Sequence, residues 1–129
     1  MRIWTAILLV AIGGGAGSVL RYLLSVLAQR FAFSLPHGTL WANLIGCFVI
    51  GVVTTLGATG GMLSPAMRLL LATGICGGFT TMSSFIYELM KFLQERDYYM
   101  AAGYFGLTLG GCVVMFVLGC GLARLVISR

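Results

Sequence analysis

Acid is scarce in this chain. It has three carboxylates, Glu88, Glu95 and Asp97, against eight lysines and arginines, and charged residues make up only 9% of its 129 positions. A soluble domain of this size carries far more charge, so a soluble globular fold is excluded. The single histidine, His37, falls in a connection with no nucleophile or metal partner near it, which argues against an enzyme. Proline occurs twice, at positions 36 and 65, and each stands at a segment boundary. The four cysteines, Cys47, Cys76, Cys112 and Cys120, show no metal-ligand spacing and sit inside apolar runs, so buried free thiols are expected. A net charge of +5 would suggest a nucleic-acid partner in a soluble protein. Here the basic residues are scattered at segment ends, where they anchor helices among lipid headgroups, and no nucleic acid is expected.

What the chain has in quantity is apolar length. Hydrophobic residues make up 60% of it, and the mean hydropathy is +1.04. The expected class is an all-α integral membrane protein, a single domain of four transmembrane helices over about 3–28, 39–58, 65–93 and 100–127. Each segment exceeds the roughly 20 residues that cross the hydrocarbon. The first, with Arg2, an apolar run and small residues from Gly13 to Gly17, loosely resembles a signal peptide. Its apolar run resumes at Val19-Leu20 and continues past Leu24, so a span is expected instead. Ser34-Leu35-Pro36-His37-Gly38 separates the first two spans, and Gly57 to Gly61 ends the second. Ser64-Pro65 reads as an N-cap with proline at the first helical position, and Gln94-Glu95-Arg96-Asp97 is the one strongly polar loop.

Lysine and arginine set the orientation of such a chain. With four spans, Arg2, Arg68, Arg124 and Arg129 fall on one side and Arg21, Arg30, Lys91 and Arg96 on the other, four against four. A chain without bias can insert both ways and form antiparallel dimers of identical subunits; chance in a small sample is the alternative. Gly13 and Gly17 form a GxxxG pair, and Ala102, Gly106 and Gly110 form a small-residue stripe, both expected to pack helices closely.

The third span carries the sharpest signal. Gly74-Ile75-Cys76-Gly77-Gly78-Phe79-Thr80-Thr81-Met82-Ser83-Ser84-Phe85-Ile86-Tyr87-Glu88 places adjacent glycines and a run of hydroxyls in mid-membrane, and a break near 77–81 is expected. Irregular backbone at that depth is tolerated only where it is buried in protein or lines a polar path. Thr81, Ser84, Phe85 and Glu88 recur at helical spacing, as do Tyr104, Thr108 and Cys112 in the fourth span. Asn43 follows Thr39 by one turn and shares its face with Gly46; its amide either bonds a neighbouring helix or donates to an anion. Arg21 lies roughly 27 Å into the first span at 1.5 Å per residue, and either snorkels to the far interface or marks an anion vestibule.

Three stretches together, Gly14-Gly15-Ala16-Gly17-Ser18-Val19-Leu20-Arg21-Tyr22, Gly38-Thr39-Leu40-Trp41-Ala42-Asn43-Leu44-Ile45-Gly46-Cys47-Phe48 and Gly74 to Phe85, resemble the signatures of the Fluc (CrcB) fluoride channels. The likeness covers the whole chain. It implies an antiparallel, dual-topology homodimer with two pores, conducting fluoride passively out of the cell across a bacterial inner membrane. It implies a structural, untransported sodium ion at the dimer centre, held by the backbone carbonyls of Gly77 and Thr80. Asn43, Phe85 and Tyr104 map to pore residues, with Thr39, Ser84, Glu88 and Thr108 along a polar track and Arg21 at an electropositive entrance. One position departs from the family: its Phe-Ser-Thr-Phe is here Met82-Ser83-Ser84-Phe85, so the first pore phenylalanine is a methionine. Methionine fills similar volume but lacks the positive ring edge. Two rival functions remain. A small dual-topology proton-coupled multidrug exporter would need a carboxylate in the first span, and none is there. A non-transporting assembly subunit would differ in showing no flux.

Overall fold

A computed structural model describes residues 1–30, 36–59 and 61–128. Ser34, Leu35, Gly60 and Arg129, named above, lie outside the described residues. The described chain is helical, with α1 over Ile3–Ala28, α2 over His37–Thr59, α3 over Pro65–Arg68, a π-helical stretch over Leu69–Cys76, α4 over Gly77–Phe79, α5 over Met82–Gln94 and α6 over Tyr98–Ile127. Four spans, Ile3–Ala28, His37–Ala58, Pro65–Gln94 and Tyr98–Ile127, are long and apolar enough to cross a membrane. The chain is a multi-pass membrane protein.

Local chemistry fixes the ends. The Ser64 hydroxyl accepts from the Met67 N–H at 3.2 Å with Pro65 just inside the helix, as the sequence suggested. Asp97 Oδ1 accepts from the Met100 N–H at 3.1 Å, which starts α6 at Tyr98, two residues earlier than expected. α2 likewise begins at His37, so His37 and Gly38 are helical rather than loop, and Gly57 lies within the helix. The turn between α5 and α6 is made by Arg96 in the left-handed region, with φ of 59°.

Two parallel helix pairs build the bundle, and glycine makes both possible. A Cβ on Gly13 would lie 2.7 Å from the Leu70 carbonyl oxygen and 2.9 Å from the Gly74 Cα, and one on Gly17 would lie 2.8 Å from the Phe79 nitrogen. α1 therefore rests backbone to backbone on the third span. In the second pair, Gly51 of α2 meets the Phe116 carbonyl of α6, and Gly119 of α6 meets the Phe48 carbonyl of α2. Close approach of this kind is how membrane helices gain packing energy without a hydrophobic drive. The other expected stripe behaves differently. Ala102, Gly106 and Gly110 are exposed, and a Cβ added at Gly106 or Gly110 would meet nothing within 4 Å, so they pack against no described part of their own chain.

Candidate functional site: an asparagine paired to extended backbone

Thr80 and Thr81 separate α4 from α5 in extended conformation, with φ/ψ of −80°/156° and −152°/111°. Gly77 and Gly78, expected at the irregular stretch, are instead helical, and Gly77 has φ/ψ of −62°/−37°. Gly78 is there for packing, because a Cβ would run into the Gly14 carbonyl of α1.

What replaces the helical bonds is a side chain. Asn43 of α2 donates from Nδ2 to the Thr81 carbonyl at 3.1 Å and accepts at Oδ1 from the Thr81 N–H at 2.8 Å. In a continuous helix that N–H would bond the Gly77 carbonyl. One amide thus satisfies both backbone groups of Thr81 and frees the Gly77 carbonyl from its regular partner. Of the two amide hydrogens on Asn43, the second has no partner among the described residues. The Thr81 hydroxyl then starts α5, accepting from the Ser84 N–H at 3.2 Å and donating to Ser84 Oγ at 3.0 Å. Behind the interruption, Arg21 Nε donates to the Gly78 carbonyl at 3.2 Å. Within this chain Arg21 thus bonds the end of α4.

The residues singled out in the sequence divide into two groups. A cleft of about 320 Å³ is lined by Asn43, Gly77, Thr80, Met82 and Thr108, among others. Thr108 is 2% exposed, and its hydroxyl has no hydrogen-bond partner among the described residues. Met82 is 62% exposed. The second group is packed away from that cleft. Glu88 accepts from the Thr39 hydroxyl at 2.7 Å on one oxygen and from the Tyr104 hydroxyl at 2.6 Å on the other. Phe85 is 1% exposed beneath this knot, its ring centroid 5.2 Å from that of Tyr104. Ser84 joins the groups, one turn before Glu88 and bonded to Thr81.

Sequence reasoning missed the part Thr81 plays, although a threonine three residues before Ser84 in a hydroxyl-rich stretch is a readable helix start. It also missed that Cys47, Cys76 and Cys112 line the same cleft. Cys76 is buried as expected, but Cys47, Cys112 and Cys120 are only half-buried.

These features define a small helical membrane protein whose polar groups converge where its third span leaves helical geometry. Its relatives give that class a family. A family model described as CrcB-like protein, Camphor Resistance (CrcB), matches residues 8–120, and the chain belongs to this family. It is 44% identical over 121 residues to a protein of Prosthecochloris aestuarii named fluoride-specific ion channel FluC, covering 94% of each chain. Relatives of the same name occur in Chlorobium phaeobacteroides, at 39% over 122 residues and 95% of each chain, and in Leptospira interrogans, at 43% over 112 residues, 86% of this chain and 88% of the relative. The family is one of ion channels, not enzymes.

Proposed function

We propose that this chain is a passive, fluoride-selective channel that exports fluoride across a bacterial inner membrane. It would work as an antiparallel homodimer with two pores and a structural sodium ion at its centre. The observation that carries the reading is the Asn43–Thr81 pair beside the unpartnered Thr108 hydroxyl, in a chain whose relatives are named fluoride-specific channels.

Fluoride is small and tightly hydrated, so a selective path must replace its water with fixed donors. In this reading the second amide hydrogen of Asn43 and the Thr108 hydroxyl supply two, and both residues face the same cleft. Thr81 and Ser84 extend the donors towards Glu88, Thr39 and Tyr104. Phe85, buried in the subunit, braces the Tyr104–Glu88 knot, and Met82 stands on the cleft where the family carries phenylalanine.

Extended backbone at Thr80 and Thr81 is then a mid-membrane break with a purpose. Gly77 and Thr80 line the cleft, and carbonyl oxygens released from helical bonding suit a hard cation such as sodium. One chain offers fewer oxygens than such a cation takes, and an antiparallel second copy would double them. When bound, the cation would fix these carbonyls and lend positive charge near an anion path.

The decisive experiment is fluoride efflux from liposomes holding only this purified chain, with sodium present and chloride as control. Fast fluoride efflux without chloride efflux is expected. Absence of flux from both the natural chain and Met82→Phe would favour an assembly subunit and overturn the channel reading.

A further inference from the structure

Three of the four thiols open on the cleft just described, one from each of three spans: Cys47 on α2, Cys76 on the π-helical stretch and Cys112 on α6. Helix register sets Cys47 beside Cys112 on the cleft wall. α2 and α6 run parallel, and Gly51 meets the Phe116 carbonyl. One turn back along each helix comes Cys47 opposite Cys112, and one turn further come Asn43 and Thr108 on the cleft wall. The thiol pair is thus the next layer below the polar groups that the fluoride reading uses.

Among the described residues no three His, Cys, Asp or Glu side chains converge on one point. A tetrahedral ion such as zinc, which takes four ligands, is not served here. Two neighbouring sulfurs suit a soft cation of linear coordination. The surroundings choose its charge. A net charge is costly in an apolar interior, and a divalent ion held by two thiolates is neutral.

We propose that Cys47 and Cys112 form a two-thiol site for a soft divalent cation of linear coordination, set across the candidate cleft. Mercuric ion is the probe. Two S–H bonds break, two S–Hg bonds form, two protons leave to water, and no electron is transferred. An ion there fills the cleft beside Asn43 and Thr108, so it should also block fluoride passage. That second consequence rests on the channel reading, whereas binding does not.

The test titrates the purified chain with mercuric ion and follows sulfur–mercury charge-transfer absorbance and bound metal by mass. One ion per chain at this site is expected. Cys47→Ser and Cys112→Ser should each weaken binding at least about tenfold, the lower end of what even an outer-shell change costs a metal site. Cys120→Ser, whose thiol bonds the Gly51 carbonyl and does not line the cleft, should bind as the natural chain does. Unchanged binding in both Cys47→Ser and Cys112→Ser overturns the proposal, as does equal binding of zinc. Liposome flux is read in parallel. Loss of efflux on mercuric ion that Cys112→Ser escapes places the ion across the path. Efflux unaffected at full occupancy overturns that placement. A chain that binds mercuric ion but never passes fluoride contradicts the channel reading alone.

Discussion

Asn43 does two jobs that compete for the same atoms. Its carbonyl and one amide hydrogen are spent on Thr81, which leaves a single donor for anything else. The sequence left open whether this residue bonds a helix or faces an anion, and the geometry allows both at once. Asn43→Asp separates the two. Aspartate still accepts from the Thr81 N–H, but when ionised it cannot donate to the Thr81 carbonyl, and a buried polar group left unpaired costs about 1–3 kcal/mol. It also sets a negative charge where an anion should pass. Fluoride efflux should fall more than about tenfold, since each ~1.4 kcal/mol on a barrier is a factor of ten in rate. Efflux at the natural rate from a correctly assembled Asn43→Asp would remove this side chain from the path. Met82 poses the opposite case, a residue on the cleft without the phenylalanine ring that the family resemblance implies there. Met82→Phe restores an electropositive ring edge at a 62% exposed position, so folding should be unaffected while the efflux rate changes. Identical flux in the two proteins would take position 82 out of the mechanism.

At the scale of elements, glycine works here mainly by letting backbones touch. Gly77 and Gly78 are neighbours with different surroundings: a Cβ on Gly78 meets the Gly14 carbonyl, while one on Gly77 meets nothing within 4 Å. Gly78→Ala should therefore lose about 1–3 kcal/mol through overpacking of α1 against the third span. Gly77→Ala should hold stability or gain up to about 1 kcal/mol, because alanine is the better helix former. Thermal unfolding in detergent compares them, and equal melting temperatures would sink the distinction. The same pair shows what a sequence can and cannot disclose. Four spans were legible because apolar length is a one-dimensional property, and the cap at Ser64-Pro65 because it is local. The irregular stretch was read at 77–81 because glycines there look like breakers, yet extended backbone is confined to Thr80 and Thr81. Its position depends on Asn43, which is 38 residues away in sequence. No local pattern in the third span encodes that partner. For the same reason Glu88, Thr39 and Tyr104 could be named singly as polar residues at membrane depth, but not as one hydrogen-bonded knot from three spans.

The whole molecule leaves an outer face that its own chain does not explain. Along α6, Gly103, Gly106 and Gly110 are exposed with nothing within 4 Å of a Cβ, and they carry no side chains to meet lipid. Small residues on an open helix face are what close contact with another helix requires, and an antiparallel copy would provide one. Whether such a copy can exist depends on the charge balance, four basic residues against four. Orientation follows the lysine and arginine bias, so the balance should be easy to tip. Replacing Arg2 and Arg124 by glutamine leaves two against four; replacing Arg30 and Arg96 leaves four against two. Each double variant expressed alone should insert predominantly one way, as read by labelling of a terminal cysteine tag, and should lose most of its fluoride efflux. Expressed together, the two variants insert in opposite senses and should recover efflux, because each supplies the partner the other lacks. Full efflux from either variant alone, with its orientation shown to be uniform, would mean that a parallel pair or a single subunit conducts. The even charge count would then be an accident of a short chain, and the outward glycines of α6 would need a different occupant.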